Sequence, residues 1–168
     1  MLQDKSKQTT ELTIKSMIKY EKVMLTFLEV PDEISMCINC TCCPLHCRGC
    51  FEPWLQKDCG KELTFEELDK LTAQCPGITC VCFMGGINDY NTLYHLMTHL
   101  KYRGYKIALY SGHDHFQPGI VDLVDYYKIG PYIPERGPLN NPNTNQKFFK
   151  KENNEWIDIT YKFQTKRV

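Results

Sequence analysis

Two apolar runs that end in glycine, ITCVCFMGG (Ile78–Gly86) and YKIALYSG (Tyr105–Gly112), each follow a stretch of helical periodicity, and this alternation narrows the folds open to the chain. The first helix is expected in LTFEELDKLTAQC. Thr64 stands at an N-cap position with Glu67 three residues on, and Phe65, Leu68 and Leu71 keep helical spacing. The second is expected over Tyr90–Tyr102, with Leu93, Leu96, Met97 and Leu100 on one stripe and Gly104 as the stop. Short apolar runs without alternation are what strands buried on both faces require, so the middle of the chain reads as α/β with a parallel sheet.

Upstream, KVMLTFLEV and ISMCINC predict two strands joined by a tight Pro-Asp turn, the second running directly into a cysteine-rich loop. Downstream, a helix around Gly119–Asp125 and a short strand YYKIG are expected. NQKFFKKENNEWIDITYKF then reads as a C-terminal β-hairpin about its ENNE turn. About four βα-type units are too few for a closed eight-fold barrel, which takes about 250 residues. An open partial barrel or a small doubly wound sheet fits the 168 residues, and residues 1–16, polar and without sustained periodicity, are expected to be a disordered or loosely attached extension to a domain spanning 17–168.

Lysine plus arginine and aspartate plus glutamate each total 20, so no basic footprint for nucleic acid or anionic membrane is expected. No stretch approaches the ~20 apolar residues of a membrane span, and the N-terminus carries no apolar run of signal length. A cytoplasmic protein is the expectation. Ten cysteines in such a chain point to metal or redox chemistry rather than to a disulfide framework.

Four of the ten, Cys59, Cys75, Cys80 and Cys82, are expected to be buried as small hydrophobes. Cys37-x2-Cys40 and Cys47-x2-Cys50 form a pair of CxxC motifs, the usual mark of structural zinc. However, a strand over ISMCINC sends Cys37 and Cys40 to opposite faces, and the gap between the motifs is short for a zinc pair. CPLHCRGCF remains, with Cys43, Cys47 and Cys50 at intervals of four and three. Three thiolates on a tight loop can hold three irons of a 4Fe–4S cluster and leave the fourth to a small molecule, as a catalytic zinc site leaves one position open.

The Cys43-x3-Cys47-x2-Cys50 spacing, followed by an aromatic (Phe51) on a loop after a core strand, resembles the signature of the radical S-adenosylmethionine superfamily. CPLHCRGCFEPWL, CVCFMGGIND, ALYSG and KIGPYIPERGPLNNPNTNQKFFK with DITYKF resemble, more narrowly, the anaerobic ribonucleoside-triphosphate reductase activating proteins, over roughly Met17–Phe163. The resemblance implies a small open partial (β/α) barrel with a C-terminal hairpin. It implies a 4Fe–4S cluster on Cys43, Cys47 and Cys50, and S-adenosyl-L-methionine on its open iron, cleaved by one electron to methionine and a 5′-deoxyadenosyl radical. The implied substrate is a glycyl loop of the anaerobic ribonucleotide reductase catalytic subunit, and the implied electron donor is of flavodoxin or ferredoxin type. Gly49, Cys50, Phe51, Gly85, Gly86, Asn88 and Ser111 are the expected cofactor contacts. An activase of another glycyl radical enzyme, of pyruvate formate-lyase type, and a non-enzymatic iron–sulfur or zinc module are the alternatives.

One position departs from that family's pattern. Where an acid usually follows the two glycines, this chain has Ile87, so Asn88, Asp89 or free backbone carbonyls are expected to replace the contact. His113-Asp114-His115 reads as a solvated loop, and His46 as a neighbour of the cluster sulfurs at most.

Overall fold

The computed structural model describes residues 17–164, so the expected extension 1–16 lies outside the described residues. β1 (Lys19–Thr26) and β2 (Ser35–Cys40) pair antiparallel, with Val23 opposite Ile38 and Met24 opposite Cys37. The Pro-Asp turn joins them as expected. Glu33 N donates to Val30 O over 3.3 Å, and Asp32 takes φ +68°, the left-handed value that position three of a type II turn requires. The chain continues through β3 (Lys61–Glu62), α1 (Phe65–Gln74), β4 (Cys80–Gly85), α2 (Tyr90–Tyr102), β5 (Lys106–Tyr110), β6 (Tyr126–Ile129), β7 (Lys147–Glu152), β8 (Glu155–Asp158) and α3 (Tyr161–Gln164).

The strands form one mixed sheet in the order β3-β1-β2-β4-β5-β6-β7-β8. Its centre, β2-β4-β5-β6, is parallel, and both flanks are antiparallel. β3 and β8 end the order without pairing to each other, so the sheet is open.

Period-two alternation gives the sheet two apolar faces. Met36, Ile38, Val81, Phe83, Ile107, Leu109 and Tyr127 pack with Leu68 of α1 and Leu93, Leu96, Met97 and Leu100 of α2. Cys37, Cys80, Cys82, Ala108, Tyr126 and Phe148 face the other way, covered by Val30, Leu139 and Ile159 from connecting segments. Cys37 and Cys40 therefore do lie on opposite faces. Burial pushes the Cys80 and Cys82 thiols well up, which keeps them neutral and suits core packing.

Several expectations are corrected. The helix around Gly119–Asp125 is only a single 3-10 turn at Val121–Leu123. The reason is that Asp125 is already committed to β5: its N–H donates to Ile107 O (2.8 Å), and its carboxylate accepts from Ile107 N (2.7 Å). The first strand stops at Thr26, whose hydroxyl accepts from Leu28 N, and Val30 folds inward to full burial. Cys59 and Cys75 are only partly buried; Cys75 is the C-cap of α1. The capping box of α1 is half made. Thr64 accepts from Glu67 N (3.2 Å), but the Glu67 carboxylate goes to the Tyr20 hydroxyl and to Lys61. The β7–β8 hairpin does turn at Asn153-Asn154, both at positive φ, the pattern of a type I′ turn.

Candidate functional site

β2 ends at Cys40 beside the C-terminal ends of β4 and β5, and the chain from Thr41 onward crosses above them. Backbone bonds pin the start of this loop. Thr41 N donates to Lys19 O (2.9 Å), Cys42 N to Lys57 O (3.0 Å) and Cys43 N to Leu55 O (2.9 Å). Cys42 (φ +62°), His46 (φ +45°) and Gly49 (φ +69°) supply the left-handed residues that coil it.

Glycines let the loop sit this close. A Cβ at Gly86 would lie 2.3 Å from both Cys43 N and Thr41 O, and one at Gly112 would lie 2.3 Å from Leu45 Cδ1. At Gly85 (φ +85°) it would meet Cys40 O at 2.4 Å. Gly85 and Gly86 thus bring strand and cysteine loop together backbone to backbone, and Gly86 N donates to Cys40 O (2.8 Å). Gly112, the glycine that ends the β5 run, instead makes room for the Leu45 side chain of the loop.

The tip of the loop is clasped from the segment after β6. Phe51 and Tyr132 lie with ring centroids 4.9 Å apart, Arg48 pairs with Glu135, and Gly49 lies against Pro134. Below the clasp is a cavity of about 440 Å³, within the size range of small-molecule sites, lined by Cys43, Cys50, Phe51, Gly85, Tyr110 and Lys128, among others.

Cys43, Cys47 and Cys50 are all partly buried. Burial is the largest influence on the Cys43 thiol and pushes it up; the Leu45 and His46 N–H groups bond to its sulfur and pull the other way. Its interaction with the Cys47 and Cys50 thiols also pushes it up, so Cys43 lies within electrostatic reach of both. The three sulfurs do not converge on a point. Among the described residues, no group of three or more His, Cys, Asp or Glu side chains is placed to hold a metal ion. A four-iron cluster makes a different demand, since each thiolate takes its own iron at a corner of a cube. Soft thiols with backbone N–H groups on the sulfur are a donor set suited to it.

Cys42 faces elsewhere, its thiol 3.4 Å from Asp58 Oδ1 and 3.9 Å from Thr41 Oγ1. His46 is exposed and bonds Gln56 Oε1 (3.1 Å). Ser111 is buried beside the loop with Leu45, Ile87 and Tyr90 in a smaller cleft, where its hydroxyl accepts from His113 N (3.1 Å). Asn88 is exposed and lines neither the cavity nor that cleft. Ile87 is a core side chain, and Asp89 caps α2, accepting from Thr92 N (3.0 Å). The His113-Asp114-His115 segment is a polar loop with the Asp114 and His115 side chains well exposed.

Polar residues that the sequence reading did not single out also line the cavity. Asn39 Nδ2 donates to Glu52 Oε1 (2.8 Å), and burial pushes the Glu52 carboxyl up. Lys128 is buried, its amine pulled down by desolvation to about 8. A lysine inside the buried strand YYKIG, two residues from Tyr126 and so on the same face, was the available signal.

No family model matches the chain, and no curated protein or solved structure was found to be similar to it. Among the described residues, no helix is long and apolar enough to cross a membrane.

Proposed function

We propose that this protein is a radical S-adenosylmethionine activase that generates a glycyl radical on an anaerobic ribonucleotide reductase. The observation that carries the reading is the loop itself. Cys43, Cys47 and Cys50 share one tight loop at the C-terminal end of a parallel sheet, and Cys43 and Cys50 line a cavity of about 440 Å³. In open α/β sheets that end is where ligands bind.

On this reading the open sheet is a partial (β/α) barrel of the radical S-adenosylmethionine type. Cys43, Cys47 and Cys50 hold three irons of a 4Fe–4S cluster, and S-adenosylmethionine occupies the cavity beside it. Together these groups supply a 5′-deoxyadenosyl radical, while the protein positions them and excludes competing reactions. Gly85 and Gly86 fix the height of the cysteine loop over β4, and Phe51 with Tyr132 narrows the cavity mouth. A flavodoxin- or ferredoxin-type protein supplies the electron, and the partner is the reductase catalytic subunit, whose glycyl loop enters through the open side of the sheet. Free thiols and a reducible cluster suit a cytoplasmic setting.

Anaerobic reconstitution tests the reading in steps. About four irons and four sulfides per chain are expected, then release of 5′-deoxyadenosine from S-adenosylmethionine under reductant. A glycyl doublet by electron paramagnetic resonance is expected on mixing with the reductase. Zinc bound without sulfide would overturn the proposal in favour of a structural module, and a doublet on a pyruvate formate-lyase type enzyme instead would redirect the substrate.

A further inference from the structure

Lys128 is the one basic side chain among the residues lining the large cavity, and it is 8% exposed. Its Nζ donates to two backbone carbonyls, Gly130 O at 2.7 Å and Ser111 O at 3.4 Å. Among the described residues no carboxylate stands within ion-pair distance of it. A buried ammonium is costly unless a negative charge answers it. The acids on the cavity wall do not do so: Glu52 is bonded to Asn39, and Glu29 lies beside the Tyr110 hydroxyl. Of the cysteine loop, Cys43 and Cys50 line the same cavity as Lys128.

We infer that Lys128 is a positioning residue for charge: its ammonium compensates the reduced state of the cluster held by Cys43, Cys47 and Cys50, and so raises the cluster's reduction potential. The inference rests on the proposed cluster. A cluster ligated by three thiolates is already anionic, and one electron from a ferredoxin- or flavodoxin-type donor adds one further negative charge with no bond made or broken. An adjacent fixed cation stabilises the more negative state, and does so more strongly where the cation is itself buried, as Lys128 is. Charge and solvent exposure near the sulfurs are among the main determinants of iron–sulfur potentials. The two carbonyls hold Nζ in place without neutralising it.

The test is an electron paramagnetic resonance redox titration of the reconstituted protein without S-adenosylmethionine, using dithionite as reductant. Lys128→Met keeps the length of the side chain and removes its charge; Lys128→Arg keeps the charge. The Met variant is expected to retain wild-type iron and sulfide but to lose at least tenfold in the reduction equilibrium, a downward shift of about 59 mV or more for a one-electron couple. The Arg variant is expected to stay near wild type. An unchanged potential in a fully loaded Met variant overturns the inference, and weakened S-adenosylmethionine binding in that same variant would assign the charge to the cofactor instead. If Lys128→Met fails to load, Lys128→Gln is titrated in its place, and failure of both neutral variants while Arg loads overturns the redox role in favour of a structural one. Wild-type protein without four irons would defeat the proposed function first, and iron analysis alone distinguishes that outcome.

Discussion

Adjacent cysteines separate at the scale of single residues. Cys42 and Cys43 differ by one position, yet Cys42 bonds to Asp58 on the outer side of the loop, while Cys43 lines the cavity and receives the Leu45 and His46 N–H groups. Cys42→Ala is expected to leave iron content of the reconstituted protein unchanged, whereas Cys43→Ala loses the cluster; the reverse pattern in iron and sulfide analysis would refute this register. Ile87 marks a second residue-level outcome. It stands where the resembled family carries an acid, but its side chain is 7% exposed within the helix-side core. Ile87→Asp therefore places a carboxylate among apolar groups and is expected to destabilise the fold by about 3 kcal/mol or more. Urea denaturation checks this, and a variant of wild-type stability would mean that the position opens to solvent.

Helix ends decide which acids are available to a ligand. Asp89 precedes α2 and accepts from Thr92 N and the Thr92 hydroxyl, so both carboxylate oxygens are engaged. Removing an N-cap of this kind costs about 1 kcal/mol. Asp89→Ala is expected to lower the melting temperature by a few degrees and to leave the affinity for S-adenosylmethionine, read by calorimetric titration, within twofold of wild type. A large loss of affinity at unchanged stability would make Asp89 a ligand contact after all. The same competition explains Glu67, which the sequence marks as the far half of a capping box. Its carboxylate is drawn across to Tyr20 and Lys61 because β1 and β3 pair directly beside the start of α1.

Across the whole molecule, the end of the sheet opposite the cysteine loop is held by one buried carboxylate. Glu33, 6% exposed, accepts from the Tyr126 hydroxyl (2.6 Å), the Thr79 hydroxyl (2.6 Å) and Lys106 Nζ (2.5 Å), joining the β1–β2 turn to residues at the starts of β4, β5 and β6. Burial would raise this carboxyl, but the bonds from Lys106, Thr79 and Tyr126 outweigh it and hold the group below its ordinary value of 4.5. A carboxyl depressed in the folded state binds its proton more readily when unfolded. Its stabilisation is therefore full above pH 4.5 and drains away as pH falls from there through the lower folded value. Glu33→Gln is expected to cost about 1–3 kcal/mol at pH 7 and to flatten the acid limb of stability against pH, measured by denaturant midpoints. An unchanged acid limb would show that other carboxylates govern it.

The sequence by itself determined the local and periodic features: the glycine-ended strands of the parallel centre, the two amphipathic helices, the Pro-Asp turn, the Asn-Asn hairpin, and the opposite faces of Cys37 and Cys40. Each depends on neighbours within a few residues, where periodicity and turn chemistry act directly. The spacing of Cys43, Cys47 and Cys50 was legible for the same reason. Only the tertiary structure decided which groups meet across long separations. It stacked Gly86 and Gly112 under the cysteine loop, clasped Phe51 with Tyr132, buried Ile87 and turned Asp89 to a cap. It also shortened the expected helix at 119–125, because Asp125 pairs with Ile107, eighteen residues away. Lys128 belongs to this second group: its place in a strand was readable, but the cavity it faces is assembled from loops more than seventy residues apart, and no local pattern encodes that meeting.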